Sequence, residues 1–333
     1  MSAFSRRRFV FASSGLLLAG ATGQAARHYL AAKLPITELS RAALGTTVTI
    51  QVVHADTAIA TSALEAAFAE IELVEQTLSI YRPDSQLSRL NRKGVLADPH
   101  PYLLTVLRHA EATSRSTSGA FDITVQPLWS LYASAQQQDR LPTAAEIQQA
   151  RQLVDWRNVQ IKASVVQLRG EGTTITLNGI AQGFAADRAM QALRKFGVEH
   201  ALVNAGELAS HGATPAGELW QIGIQHPRQA NAYAELAQLG DRCLATSGDY
   251  ETKFSPDNRH NHLFDPRTGY SPTELASVSI AAPTAMAADA LSTACFVLGP
   301  DKASALIASL PKVDALLIRK DGRQLVTANF PLV

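Results

Sequence analysis

The chain predicts a single domain of the α+β (mixed α/β) class, and three observations carry that expectation. β-branched runs of strand length, such as residues 44–53, are interspersed with amphipathic stretches of helical length, such as residues 61–79. No internal repeat or low-complexity tract divides the 333 residues into arrays or linked modules. Hydrophobic residues make up 46% and charged residues 18%, which supplies ample core and places the chain among ordinary globular proteins.

The N-terminus reads as an address. Ser5-Arg6-Arg7-Arg8-Phe9-Val10 is a twin-arginine pattern, followed by a mildly apolar run over 11–21 and small residues through Ala26. The expected organisation is a twin-arginine signal peptide over 1–26, a linker over 27–40 and one domain over 41–333. The apolar run is too short and too rich in Ala, Ser and Gly for a comfortable membrane span. No Cys follows it, so no lipoprotein anchor is expected. A Sec signal or an uncleaved anchor is the competing reading, and both place the domain on the periplasmic side of the inner membrane. A formal net charge of +1 leaves no basic patch for nucleic acid. Cys243 and Cys295 belong to no CxxC pattern, and a single disulfide between them stays open.

The elements then follow in order. Residues 44–53 alternate and predict a strand entered through Gly45. Residues 61–79 place Leu64, Phe68, Ile71, Val74, Glu75 and Leu78 at helical spacing. Residues 81–91, broken by Pro83, read as a hydrogen-bonding loop; 102–116 predict a second helix and 117–127 a glycine loop. The Gln-rich stretch 129–150 reads as a surface excursion in which Thr143 with Glu146 starts a helix. Residues 165–168 and 174–177 predict a hairpin about Gly170 and Gly172, and 178–183 a sharp turn into a helix over 184–195. Strands are expected at 201–204, 277–281, 315–318 and 324–327, with strands and turns over 219–251 and a loop over 262–269.

The chemistry centres on the helix that opens at Thr284. Asp289, Ser292 and Thr293 stand at i, i+3 and i+4, which puts three oxygen-bearing side chains on one face. Hard cations such as Mg²⁺ take such donors and keep waters or phosphates in their remaining positions. Helix capping by Asp289 and small-residue packing by Ser292 and Thr293 fit the same local pattern.

Eight motifs in order resemble one family. They are Leu44-Gly45-Thr46; the Tyr-Arg…Leu-Asn block over 81–91; Gly-Ala-Phe-Asp-Ile-Thr over 119–124; Gly-Ile-Ala-Gln-Gly over 179–183; Asn204 to Glu207; Thr246-Ser247-Gly248-Asp249-Tyr250; His262 through the Asp-Pro-Arg-Thr-Gly turn to Gly269; and Ala-Asp-Ala-Leu-Ser-Thr-Ala over 288–294. This order resembles the ApbE family of FAD:protein FMN transferases. The resemblance implies a single-domain flavin transferase fold of mixed β-sheets and packed helices. It implies Mg²⁺ held by the Gly179 carbonyl, Asp289 and Thr293, with Ser292 nearby. It implies an FAD site formed by Leu44, Tyr81, Ala120, Phe121, Asp122, Thr176, Gln182, Thr246, Ser247, Gly248 and Leu263. His262 takes the position of an essential histidine, expected to act as base or phosphate orienter beside Asp289.

The implied reaction moves the FMN half of FAD onto a Ser or Thr hydroxyl of an acceptor flavoprotein domain in a membrane electron-transfer complex, releasing AMP. Two rivals use the same pocket: a Mg²⁺-dependent FAD pyrophosphatase giving FMN and AMP, and a non-catalytic FAD-binding assembly factor. The chain departs from the family at Leu44, usually Met; at Thr176, often Asp; at Gln182, often Lys; and mildly at Glu207. The second and third departures remove one charge of each sign. His54, His109, His211 and His226 match no motif and read as surface residues.

Overall fold

A computed structural model describes residues 34–333. The signal peptide expected over 1–26 lies outside them. Eight strands form the main sheet, in the order β1 (Ile36–Ala43), β2 (Thr46–Val53), β6 (His200–Asn204), β7 (Leu208–His211), β10 (Cys243–Gly248), β11 (Leu275–Ala282), β12 (Asp314–Arg319) and β13 (Gln324–Val326). Every neighbouring pair in it is antiparallel. The domain is therefore α+β, since parallel βαβ units would be needed for the α/β alternative.

The helices are α1 (Thr57–Leu78), α2 (Gln86–Lys93), α3 (Pro101–Ser116), α4 (Gln126–Gln136), α5 (Ala144–Arg151), α6 (Ala181–Lys195), α7 (Ala285–Leu298) and α8 (Pro300–Ser309). Strands β3 (Val95–Ala97), β4 (Val159–Ile161) and β5 (Val165–Leu168) form a small sheet in the order β3-β5-β4, and β8 (Trp220–Gln225) pairs with β9 (Tyr233–Leu239).

Strand periodicity decides which layer packs where. Val52 and Val203 sit in the core with α1 and α6, whereas their neighbours Val53 and Leu202 pack with Trp220, Ile222 and Leu239 of the β8–β9 hairpin. Farther across the sheet, Ala315 and Leu317 join the α7–α8 core while Leu316 and Ile318 face the hairpin. Side chains alternate between faces at a period of two, so the sheet is covered by helices on one side and by a hairpin on the other. All eight residues of β11 are buried, as expected for a strand with both faces covered.

The structure corrects several expectations. Residues 36–40, expected in the linker, belong to β1, which pairs along its whole length with β2. As a polar edge strand it lacks an apolar stripe; Ser40 meets Thr49 across the pair, hydroxyl to hydroxyl at 2.8 Å, and the Gln51 amide donates to Glu38 at 2.7 Å. Within the expected loop 81–91 lies the start of α2, capped by Ser85 at one end and by left-handed Gly94 at the other.

The hairpin expected between 165–168 and 174–177 is absent, because β5 pairs with β3 and β4. Ile175 instead finds its partners in one side chain: its N–H donates to Asn91 Oδ1 and its carbonyl accepts from Asn91 Nδ2, both at 2.8 Å. The Asn91 amide thus satisfies the backbone groups a neighbouring strand would have satisfied.

The capping box at Thr143 and Glu146 is present, but the excursion it belongs to is more than surface. Leu128, Tyr132 and Ile147 are buried against Phe254 and Phe264, so α4 and α5 buttress the loop over 249–274. Cys243 and Cys295 are both buried, and both are free thiols. His54, His109, His211 and His226, expected on the surface, are all half-buried, and burial lowers the pKa of His109. Among the described residues no helix is long and apolar enough to cross a membrane.

Candidate active site

A cleft of about 390 Å³ opens where the β1–β2 turn, the end of α1 and the start of α6 meet the 249–274 loop. Its volume lies within the roughly 300–1,000 Å³ typical of small-molecule sites. Leu44, Tyr81, Gln182 and His262, all assigned to the site from the sequence, line it.

Leu44 and Gly45 close the hairpin with φ of 54° and 73°, the left-handed pair that matches the twist of the flanking strands. The left-handed conformation costs a leucine about 1 kcal/mol, so other contacts must hold it. They do: the Leu44 N–H donates to Glu75 Oε1 at 2.8 Å, and its carbonyl accepts from Gln182 Nε2 at 3.2 Å. Glu75 is in turn held by Arg82 Nη2 at 3.0 Å, while the same guanidinium grips both oxygens of Glu72. Also at the cleft, the Tyr81 hydroxyl accepts from Asn178 Nδ2 at 3.0 Å.

Behind the cleft lies a cluster of oxygen donors. Asp289 is 4% exposed, and its Oδ2 accepts from the Gly183 N–H at 3.0 Å. The Ser292 hydroxyl donates to the Asp289 carbonyl at 2.8 Å, and Ser247 Oγ lies 2.7 Å from Ser292 Oγ and 3.3 Å from Thr293 Oγ1. One proton arrangement satisfies all three hydroxyls: Ser247 donates to Ser292 and accepts from Thr293, which leaves the Thr293 oxygen lone pairs for a ligand. Gly179 lies directly against Thr293, since a Cβ at that position would stand 2.9 Å from Thr293 Oγ1.

Among the described residues no group of three or more His, Cys, Asp and Glu is placed to hold a metal. The cluster offers one carboxylate and hydroxyls, with the Gly179 backbone beside them. That set is hard and incomplete, as a cation sharing its shell with water and phosphate requires, so these residues fit Mg²⁺.

The turn over 178–183 joins the two halves. Asn178, Ala181 and Gln182 line the cleft, whereas Gly179 and Gly183 touch α7. α6 begins within this turn, and two of its first N–H groups are already taken: Ala181 donates to the Leu177 carbonyl at 2.8 Å and Gly183 to the Asp289 carboxylate.

The remaining expected residues lie around this centre. Ala120 and Phe121 are buried, with Phe121 Cε2 3.6 Å from where a Gly179 Cβ would be. Thr176 donates its N–H to the Ile123 carbonyl and accepts from the Asn178 N–H. Thr246 Oγ1 lies 2.8 Å from Ser279 Oγ, and its N–H donates to Glu207. Gly248 lies against the Tyr250 ring, which would have to move to admit a Cβ there, at 2.2 Å. Leu263 is buried in the α7–α8 core, so of that pair His262 alone reaches the cleft. Its loop is held by fully buried Asn261, which accepts from the Leu263 N–H and exchanges two hydrogen bonds with Ser271 through its backbone.

Asp122 organises its loop rather than facing the cleft. It accepts from the Thr124 N–H and hydroxyl and from the Trp156 N–H. Burial pushes its carboxyl up to about 6 against the pull of those bonds. The folded chain then binds this proton more tightly than the unfolded chain, so stability falls as pH rises between about 4 and 6 and is level above. Asp122→Asn is expected to lack that fall, and urea titrations at pH 4 and pH 7 should show a parent–variant difference that moves by about 2–3 kcal/mol. A difference that does not change with pH would remove Asp122 as the titrating group.

Sequence reading missed Arg82, Asn178, Glu251 and the loop's anchor Asp249. Asp249 is fully buried and accepts both nitrogens of Arg228, at 2.6 and 2.9 Å, with Lys320 Nζ at 3.5 Å. Arg228→Ala strands that carboxylate and is expected to cost about 2–3 kcal/mol, at or just under the usual loss because Arg228 is partly solvated. Chemical denaturation checks it, and a change under 1 kcal/mol would mean that Lys320 suffices.

Fold and site together define an antiparallel α+β domain whose ligand-sized cleft abuts an oxygen-only donor cluster. The chain belongs to the ApbE family, whose sequence profile matches residues 44–317. An FAD:protein FMN transferase of Treponema pallidum (strain Nichols) is 33% identical, with 91% of this chain and 88% of the relative aligned. One from Haemophilus influenzae is 31% identical, over 86% of this chain and 88% of the relative. Among solved structures, the ApbE protein of Thermotoga maritima superposes with a TM-score of 0.79 at 30% identity, covering 88% of this chain and 97% of that one. The flavin transferase ApbE of Vibrio cholerae does so at 0.77 and 27%, covering 89% and 98%.

Proposed function

We propose that this chain is an FAD:protein FMN transferase that uses Mg²⁺ to move the FMN half of FAD onto a Ser or Thr hydroxyl of an acceptor protein. The observation that carries this reading is the 178–183 turn, which lines the cleft with one set of residues and touches the oxygen cluster with the other. Asp289, Thr293 and the Gly179 carbonyl would hold the cation, with Ser292 and Ser247 orienting the hydroxyl donors. Once bound, Mg²⁺ neutralises charge on the pyrophosphate and orients it for in-line displacement.

The chain's own residues do the rest. Leu44 offers an apolar contact to an aromatic ring at the cleft. His262 is the candidate to accept the acceptor hydroxyl proton. The acceptor oxygen bonds to the FMN phosphorus, the bond from that phosphorus to the bridging oxygen breaks, and AMP leaves with that oxygen. The twin-arginine pattern supports work on the periplasmic side, on the flavoprotein domain of a membrane electron-transfer complex.

The test is mass spectrometry of an acceptor flavodomain incubated with the protein, FAD and Mg²⁺. A gain of one FMN on Ser or Thr, dependent on Mg²⁺, supports the reading. Free FMN and AMP, with an acceptor that another flavin transferase does modify, would make the protein a pyrophosphatase. Bound FAD without turnover would make it a carrier.

A further inference from the structure

The helix carrying the oxygen cluster is anchored from outside itself. The first N–H groups of an α-helix have no partner within it and must find one elsewhere. In α7 the Ala287 N–H donates to the Thr284 hydroxyl at 3.2 Å, the usual cap, and the Ala288 N–H closes the first turn onto the Thr284 carbonyl. The Ala285 and Met286 N–H groups instead donate to the two oxygens of Asp187, at 2.8 and 2.9 Å. Asp187 lies about a hundred residues earlier, on α6.

Gly183 and Asp187 stand at i and i+4, one turn apart on the same face of α6. Both grip α7. Gly183 binds the Asp289 side chain and lies so close to Ala285 that a Cβ would stand 2.2 Å from its carbonyl oxygen. The third wall is β10, where Cys243 Sγ comes within 4.0 Å of Asp187 Oδ1, and Ser247, four residues on along the strand, meets Ser292 and Thr293. A carboxylate at a helix N-terminus is held by charge-assisted bonds and by the helix dipole, so it resists sliding and rotation of that helix. Asp289 and Thr293 lie one and two turns beyond the clamp. A shift of the helix start would carry both donors with it.

We propose that Asp187 is a positioning residue: by clamping the Ala285 and Met286 N–H groups it sets the position of α7 against α6, and through that the Mg²⁺ affinity of the Asp289–Thr293 cluster. The inference rests on the Mg²⁺ reading given under Proposed function. Asp187 itself touches neither the cluster's donors nor the cleft lining, so its effect reaches the cation through the helix alone.

Two variants of the full chain test it. Asp187→Ala removes both acceptors, and Asp187→Asn keeps the shape and one acceptor oxygen, which makes it the variant to read if alanine fails to fold. Three quantities are measured: Mg²⁺ binding by calorimetry on the isolated protein, FAD binding without Mg²⁺ by flavin fluorescence, and acceptor modification as a function of Mg²⁺ concentration. Outer partners of metal ligands typically alter affinity by about 10–100-fold, and Asp187→Ala is expected to weaken Mg²⁺ binding by about tenfold. Asp187→Asn should give a smaller shift in the same direction. FAD binding should stay within about twofold, and transfer should recover at high Mg²⁺. A variant with lowered thermal stability but unchanged Mg²⁺ binding would overturn the inference and leave Asp187 a purely structural cap. A parent chain that binds no Mg²⁺ would overturn the cation reading itself, and this inference with it.

Discussion

Gly183→Ala is expected to destabilise the fold by about 2–3 kcal/mol and to abolish detectable flavin transfer. Helix propensity alone argues the other way, since alanine is favoured over glycine by about 1 kcal/mol within a helix. Crowding decides the sign. A Cβ at 183 would stand 2.2 Å from the Ala285 carbonyl oxygen, 2.5 Å from its carbon and 2.8 Å from Asp289 Cβ. Two of those atoms are backbone, so relief requires α6 and α7 to separate. Separation would break the Gly183–Asp289 hydrogen bond and draw the carboxylate away from the turn that lines the cleft. Urea denaturation and acceptor mass spectrometry on the same sample check both halves. A stable, active alanine variant would show that the two helices are free to move apart without consequence.

Asp289→Asn is the second large effect. The amide keeps the size of the side chain and one oxygen to accept the Gly183 N–H, so stability should change by no more than about 1 kcal/mol. It removes the single negative charge of the donor cluster, and transfer should fall by about 10²–10³-fold or more, as on loss of a principal electrostatic stabiliser. Asp289→Ala should lose transfer to the same degree and stability as well, because the Gly183 N–H is left buried without an acceptor, a cost of about 1–3 kcal/mol. Retention of Mg²⁺-dependent transfer by the asparagine variant would remove Asp289 from the site.

How much of this was legible in the sequence depended on whether the signal was local. The helix starts at Thr143 and at Thr284 were read correctly, because the signals that open a helix lie within one turn of chain. The i, i+3, i+4 placement of Asp289, Ser292 and Thr293 was readable for the same reason; in the structure Ser247 meets the Ser292 and Thr293 hydroxyls, while the Asp289 carboxylate takes the Gly183 N–H. β1 escaped because an edge strand that exposes polar residues carries no apolar alternation. Ile175 was assigned a strand partner, but a single amide, that of Asn91, serves it from 84 residues away. Asp187 and Glu75 were invisible as site residues for a related cause. Each is a carboxylate on an amphipathic helix, and only the fold shows that it receives backbone N–H groups of a distant turn. Glu75 carried a hint, as a charged residue among the apolar positions facing the core side of α1.

The turn over 178–183 has a thermodynamic consequence. Its residues contribute to the organic cleft and to the oxygen cluster through one short stretch of backbone, so neither can be ordered without ordering part of the other. Occupation of one half should therefore raise affinity for the other, and by reciprocity the gain must be equal in both directions. Flavin nucleotide and divalent cation would then load as a coupled pair rather than as independent guests.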